Sequence, residues 1–295
     1  MKAMKPSAGP GGLEVLRVKH PFVDATVFLQ GAHLASWKPD PAQDDVLFVS
    51  LQNAFGHGKA IRGGVPVCFP WFGPLRDDLG LRFDPKAPMH GVARTTAWRL
   101  ADSCCAGQSV MLRLEPASYE PYRAWTDASF ETHIDMTLGQ TLEITHHVAN
   151  TGSTPVKYET ALHTYFRVGD VTRVRIEGLG GADYLDKTQN FARCKQHESV
   201  LMLTDETDRV YVDTDKTLTL IDPVLQRRIT NHKRGSSATV VWNPWEAKSV
   251  PVTGLAPGEW KQFVCVETAS CNKGFVTLGP GQSHATTMIV EVGSL

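Results

Sequence analysis

The chain has 295 residues, with 30 Lys plus Arg against 31 Asp plus Glu, a net charge of −1, and 42% apolar and 21% charged residues. These values exclude a disordered polymer, which lacks core-forming residues, and a broad polyanion binder, which needs excess positive charge. No apolar run reaches the ~18 residues of a membrane-spanning helix, and the 25 Gly and 18 Pro show no collagen-like period.

Residues 1–12 are rich in Lys, Pro and Gly and read as a disordered tail without the apolar stretch of a signal peptide. Length alone suggests about two domains of ~150 residues, but β-rich single domains reach ~200–250. No composition break marks a linker, since Gly178 to Asp183 (GLGGAD) is too short, so residues 13–295 read as one catalytic domain. Gly56-His57-Gly58-Lys59 imitates the end of a phosphate-binding loop, but Asn53 stands where that loop needs glycine and no helix pattern follows.

Ile61 to Pro74 (IRGGVPVCFPWFGP) is dense in Gly, Pro and aromatics, with Arg62 as its single charge. Its prolines keep it out of helices and central strands. It reads either as a rigid loop packed on the core or as a flat apolar platform suited to the C–H face of a sugar. Arg94, in His90-Gly91-Val92-Ala93-Arg94, is a second cation close to a histidine.

From Phe130, the apolar Phe130, Ile134, Met136 and Leu138 alternate with Glu131, His133, Asp135 and Thr137; alternation resumes at Leu142, Ile144, His146 and Val148. Two such runs around Gly139-Gln140 predict a hairpin closed by a two-residue mirror-image turn. Asn150 to Pro155 is a turn. Further strands are expected over Val156 to Phe166, Arg209 to Asp213, Val240 to Trp242, Gln262 to Thr268 and Ala285 to Val292, with a short helical turn near Asn190 to Cys194. Many short strands and frequent turns predict an all-β sandwich.

Common catalytic signatures are absent: there is no Gly-x-Ser-x-Gly elbow, no His-Glu-x-x-His and no dinucleotide fingerprint. No basic run interleaved with aromatics suggests nucleic acid. The six cysteines contain no Cys-x-x-Cys pair and read as reduced thiols of a cytoplasmic protein. His146 and His147 point to opposite faces of a strand and cannot share one ion, so one is expected packed and one exposed.

Two strands carry titratable groups. In Val156 to His163, Lys157, Glu159, Ala161 and His163 share a face; in Phe263 to Thr268, Glu267 follows Phe263 and Cys265 on its face. A carboxylate ending an apolar row is either satisfied by a partner or tuned for proton transfer.

The segments Ile61 to Pro74, His90 to Arg94, Leu162 to Phe166 (LHTYF), Thr207 to Tyr211 (TDRVY), Val241 to Trp245 (VWNPW) and Val264 to Thr268 (VCVET) occur in one order. Together they resemble the aldose 1-epimerase-like superfamily and, within it, the hexose-6-phosphate mutarotases. The resemblance implies a large antiparallel β-sandwich of the galactose-mutarotase-like supersandwich type, and exchange of the α and β anomers of a hexose 6-phosphate. It implies His163 and Glu267 as catalytic residues, His90 and Asp208 as sugar contacts, and Arg62 and Arg94 as phosphate contacts. Relatives often carry Gln immediately before the His-Gly pair; here Met89 cannot donate an amide hydrogen bond, so a sugar or phosphate contact is either missing or replaced by Arg82 or Lys86 nearby.

Mutarotation opens a hemiacetal and closes it on the other face. One base (Glu267) and one acid (His163) suffice, so neither metal nor other cofactor is expected. The histidine would be charged with help from a carboxylate, Asp208 or Glu267. The expected partner is a small hexose phosphate, with no nucleic acid, no membrane and a monomeric chain. Two other readings stand beside this one: an aldose 1-epimerase acting on free sugars, and a non-catalytic sugar-binding module on the same scaffold.

Overall fold

The alternating run from Phe130 becomes two paired strands, Phe130–Leu138 and Thr141–Asn150. Phe130, Thr132, Ile134, Met136 and Leu138 are buried, and the residues between them face outward. The turn differs from expectation. Leu138 pairs with Leu142, which leaves three residues in the connection, and neither Gly139 nor Gln140 has positive φ. Glycine is favoured at 139 for another reason: a Cβ there would lie 3.1 Å from the Gln108 carbonyl oxygen and 3.1 Å from the Ser109 Cβ, tighter than ordinary contact. Close approach of the neighbouring hairpin, rather than a mirror-image turn, selects it.

The computed structural model describes residues 4–40, 43–251 and 253–295. Antiparallel pairing builds a nine-stranded sheet in the order Val200–Leu201, Arg175–Glu177, Leu218–Asp222, Arg227–Arg234, Ser283–Ser294, Thr141–Asn150, Phe130–Leu138, Ser109–Pro116, Trp98–Ala106. A second, eight-stranded sheet runs Ala192–Lys195, Asp183–Asp186, Thr207–Val212, Ala238–Asn243, Phe263–Ser270, Thr160–Leu162, Val67–Cys68, with Tyr165–Arg167 also on the Phe263–Ser270 strand. Val264 and Val266 of the second sheet join Ile134, Ile144, Met288 and Val290 of the first in one apolar core. His146 bridges the layers, bonding Thr132 and Thr160 at 2.8 Å each. The fold is the expected antiparallel sandwich. A smaller N-terminal sheet, Ser7–Ala8, Glu14–His20, Val23–Phe28 and His33–Lys38, adds Leu16, Val27, Leu34 and Trp37 to the same core. Of the expected tail, residues 1–3 lie outside the described residues, while Ser7 and Ala8 pair with Val15 and Glu14. No described helix is long and apolar enough to cross a membrane.

Two expectations about local structure are corrected. The strand read over Val156 to Phe166 is three pieces, Val156–Tyr158, Thr160–Leu162 and Tyr165–Arg167. The first break falls at Glu159, whose fully buried carboxylate accepts from Phe72 N (3.0 Å), Asn272 N (2.5 Å) and Arg76 Nη1 (2.8 Å). It ties the aromatic loop to the sheet. The helical turn expected near Asn190 to Cys194 lies earlier, at Lys187–Gln189, capped by Asp186 accepting from Thr188 N. Asn190 and Phe191 then take positive φ and reverse the chain into the edge strand Ala192–Lys195.

Glu159→Ala leaves two backbone N–H groups without an acceptor and removes the buried partner of Arg76. At about 1–3 kcal/mol per unmet buried group, urea denaturation is expected to show a loss of about 3 kcal/mol or more in unfolding free energy.

Candidate active site

Strand register brings the two principal residues together. Leu162 faces Thr268 and Tyr165 faces Cys265, so the register is unbroken and residue 163 lies opposite residue 267. His163 N donates to Pro66 O at 3.0 Å, which fixes the turn-out between the two short strands. The side chains meet with His163 Nε2 3.4 Å from Glu267 Oε1, both buried. The imidazole stacks on Tyr165 (centroids 5.0 Å apart, planes at 12°), with Trp242 and His90 edge-on to it.

The pair lies in a cleft of about 330 Å³, large enough for a small ligand and lined by all six residues singled out in the sequence: Arg62, His90, Arg94, His163, Asp208 and Glu267. Asp208 comes from the Thr207–Val212 strand and Glu267 from the Phe263–Ser270 strand, His163 from the turn-out between two short strands, Arg94 from the 3-10 turn Ala93–Thr95, and Arg62 and His90 from loops. His90 has φ +65° and Gly91 φ +73°; a Cβ at 91 would lie 2.2 Å from the Phe69 carbonyl oxygen, so glycine is obligatory beside His90. Gly73 N donates to His90 Nδ1 at 3.2 Å, so the neutral ring carries its proton on Nε2 and is a donor there. Arg94 donates through Nη2 to Met89 O at 2.6 Å, and Arg62 Nη1 is 3.5 Å from the Tyr165 hydroxyl. Among the described residues neither guanidinium is paired with a carboxylate.

Buried polar atoms normally have partners. Here His163 Nδ1, Glu267 Oε2 and Asp208 Oδ1 are buried and bond to no other described residue. These three atoms, from two strands of one sheet and the turn-out that carries His163, share one cleft and are chemically able to bond the hydroxyls of a ligand. Two guanidiniums without a carboxylate partner in the same cleft are chemically able to receive a negative group.

The family profile described as aldose 1-epimerase matches residues 14–291. The chain belongs to the aldose 1-epimerase family. Among its relatives, an Escherichia coli K12 protein named "Putative glucose-6-phosphate 1-epimerase" is 36% identical over 260 residues, 87% of this chain and 83% of that one. A Salmonella typhimurium protein of the same name is 36% identical over 256 residues, with the same shares covered. A crystal structure of a "putative mutarotase" from Salmonella typhimurium superposes with a TM-score of 0.90 at 30% identity, covering 100% of this chain and 95% of that one.

Within this family member, Met89 is half exposed and uses its carbonyl rather than its side chain to hold Arg94. The replacements expected for it do not occur. Arg82 turns to Asp127 and the Arg123 carbonyl, and neither Arg82 nor Lys86 lines the cleft. The additional cation is Lys187, which sequence reasoning missed; its Nζ is 2.8 Å from Asp208 Oδ2 and 5.7 Å from the Phe72 ring centroid. The signal was present in Asp186-Lys187-Thr188, a capping pattern that puts the helical turn, and the lysine, at the cleft rim.

The charge state of the pair also differs from expectation. Burial holds His163 well below the usual imidazole range, and Arg94 and Arg62 push it further down. Burial holds Glu267 well above the usual carboxylate range; Lys187 opposes this and Asp208 adds to it. On both groups burial works toward the uncharged form, reinforced at His163 by the two arginines. Burial and the neighbouring His163, Arg94, Lys187 and Arg62 likewise keep His90 neutral.

A carboxyl whose folded pKa is raised favours folding below its unfolded pKa of about 4.3 and loses that contribution as pH rises. Glu267→Gln removes the loss. The variant is expected to melt a few degrees above the parent at pH 8, with the gap closing toward pH 4, as followed by circular dichroism.

Proposed function

We propose that this protein interconverts the α and β anomers of a hexose 6-phosphate, with glucose 6-phosphate as the substrate. The observation that carries the reading is the combination in one cleft of a buried His–Glu pair with unmet polar atoms and two uncompensated arginines. The names borne by the relatives support it.

The proton inventory follows from the pair. A neutral carboxyl beside a neutral imidazole holds the same number of protons as a carboxylate beside an imidazolium. Ring opening uses the second arrangement. The Glu267 carboxylate takes the proton of the anomeric hydroxyl, the bond from C1 to the ring oxygen breaks, and His163 delivers its proton to that oxygen. The pair is then left as carboxyl and neutral imidazole. After rotation about the bond next to the aldehyde, Glu267 returns a proton to the carbonyl oxygen. His163 accepts the hydroxyl proton as the ring closes on the other face. The two arrangements are the starting points of opposite half-reactions, and burial favours the one that belongs with the open chain.

A phosphate monoester brings about −1.5 to −2 charges. On Arg62 and Arg94 it would offset the two cations that hold the His163 proton away, and so bring the imidazolium within reach. The phosphate thus anchors the sugar and favours the acid. His90 Nε2–H and the free Asp208 oxygen would take sugar hydroxyls, with Lys187 holding Asp208 in place. A phosphorylated sugar and six cysteines with no disulfide among them fit a cytoplasmic setting. The reading takes the protein to act as a monomer, since one chain supplies every residue given a role here.

His163→Asn and Glu267→Gln are each expected to lower catalysed anomer exchange by about 10²–10⁴-fold while leaving the fold intact, read by exchange NMR on glucose 6-phosphate. Arg62→Ala and Arg94→Ala are expected to raise KM for glucose 6-phosphate by roughly 10–100-fold each, the cost of about 1.5–3 kcal/mol for a lost charged hydrogen bond, with little change on glucose. Equal turnover of glucose and glucose 6-phosphate by the unmodified protein would replace this reading with the free-sugar epimerase.

A further inference from the structure

His146 and His147 behave as adjacent strand residues should, with His146 buried and His147 on the outer face of the nine-stranded sheet. The hairpin register gives His147 a different companion. It pairs His133 directly with His147, and Asp135 stands two residues beyond His133 on the same face. The two imidazoles stack with centroids 4.3 Å apart and planes at 16°. Both turn Nε2 toward one oxygen, Asp135 Oδ2, at 3.7 Å from His133 and 3.4 Å from His147. These spacings are long for hydrogen bonds. They are close to the edge of a coordination tetrahedron, since ligand atoms about 2.0–2.2 Å from a zinc ion stand roughly 3.3–3.6 Å apart. All three ligand atoms lie within 4.8 Å of one another.

We propose that His133, Asp135 and His147 form a binding site for one borderline divalent cation of the Zn²⁺ or Ni²⁺ type. Two imidazoles and one carboxylate suit such ions and leave a position for water, whereas Mg²⁺ and Ca²⁺ prefer all-oxygen shells. Arg113, on the neighbouring strand Ser109–Pro116, fixes the carboxylate by donating Nε to Oδ1 (2.7 Å) and Nη2 to Oδ2 (2.8 Å). It orients Asp135 and also repels a cation, which sets the site at moderate affinity. The inward face of the same strands meets the cleft-bearing sheet through His146 and Thr160, so the site is on the far side of the sheet from the sugar cleft.

The test is calorimetric titration of the full chain with ZnCl₂. Cys104 and Cys105 are exposed and would compete for the ion, so both are first replaced by Ser. One Zn²⁺ per chain with micromolar affinity is expected, with no heat from MgCl₂. His147→Ala and His133→Ala should each weaken binding at least ~10-fold, and Arg113→Gln should tighten it several-fold. Anomer exchange should be unchanged in the histidine variants. Absence of saturable Zn²⁺ binding, equal binding by His147→Ala, or weaker binding by Arg113→Gln would overturn the proposal.

Discussion

Glu267 and His163 lie 3.4 Å apart where neither group is charged cheaply. Isolating a carboxylate from water costs far more than one hydrogen bond returns, so the pair survives in the fold only by sharing protons or by meeting a ligand. The surrounding architecture maintains that condition. The strand register fixes the separation, Tyr165 and Trp242 wall the imidazole from solvent, and the two arginines bias where the proton rests.

The loops answer a different requirement. Arg62, His90 and Arg94 come from irregular chain whose conformation depends on backbone close approach, as at Gly91, and on the Glu159 anchor beneath the aromatic loop. Lys187 arrives on a capped turn leading to an edge strand. These elements place charge and hydrogen-bond donors around a fixed proton-transfer pair. Arg62 and Arg94 reach the cleft from the N-terminal third of the chain, and the paired Lys187 and Asp208 reach it from its later part.

The strands were legible because side-chain alternation follows from backbone geometry, and the long hairpin from Phe130 to Asn150 carries that alternation most clearly. The facing of His163 and Glu267 was only half legible. Alternation told which face each occupies, while their opposition depends on register, and the family motifs rather than periodicity brought the two together. Three features were hidden. Glu159 breaks a run that reads as one strand because its carboxylate binds three distant groups. Gly139 mimics a turn glycine while serving a contact with another hairpin. The downward push on the His163 imidazole comes from burial and from Arg94 and Arg62, far away in sequence.

The strand Phe263–Ser270 has two occupations. Its odd-numbered side chains Cys265 and Glu267 face the cleft side, while Val264 and Val266 are built into the apolar interior. The reaction chemistry is therefore inherited with the core and is as hard to alter as the core itself. Recognition, by contrast, is hung on loops and a rim turn that can change length and composition without disturbing the sandwich. Such a scaffold can acquire a new sugar preference during divergence while its proton chemistry stays the same.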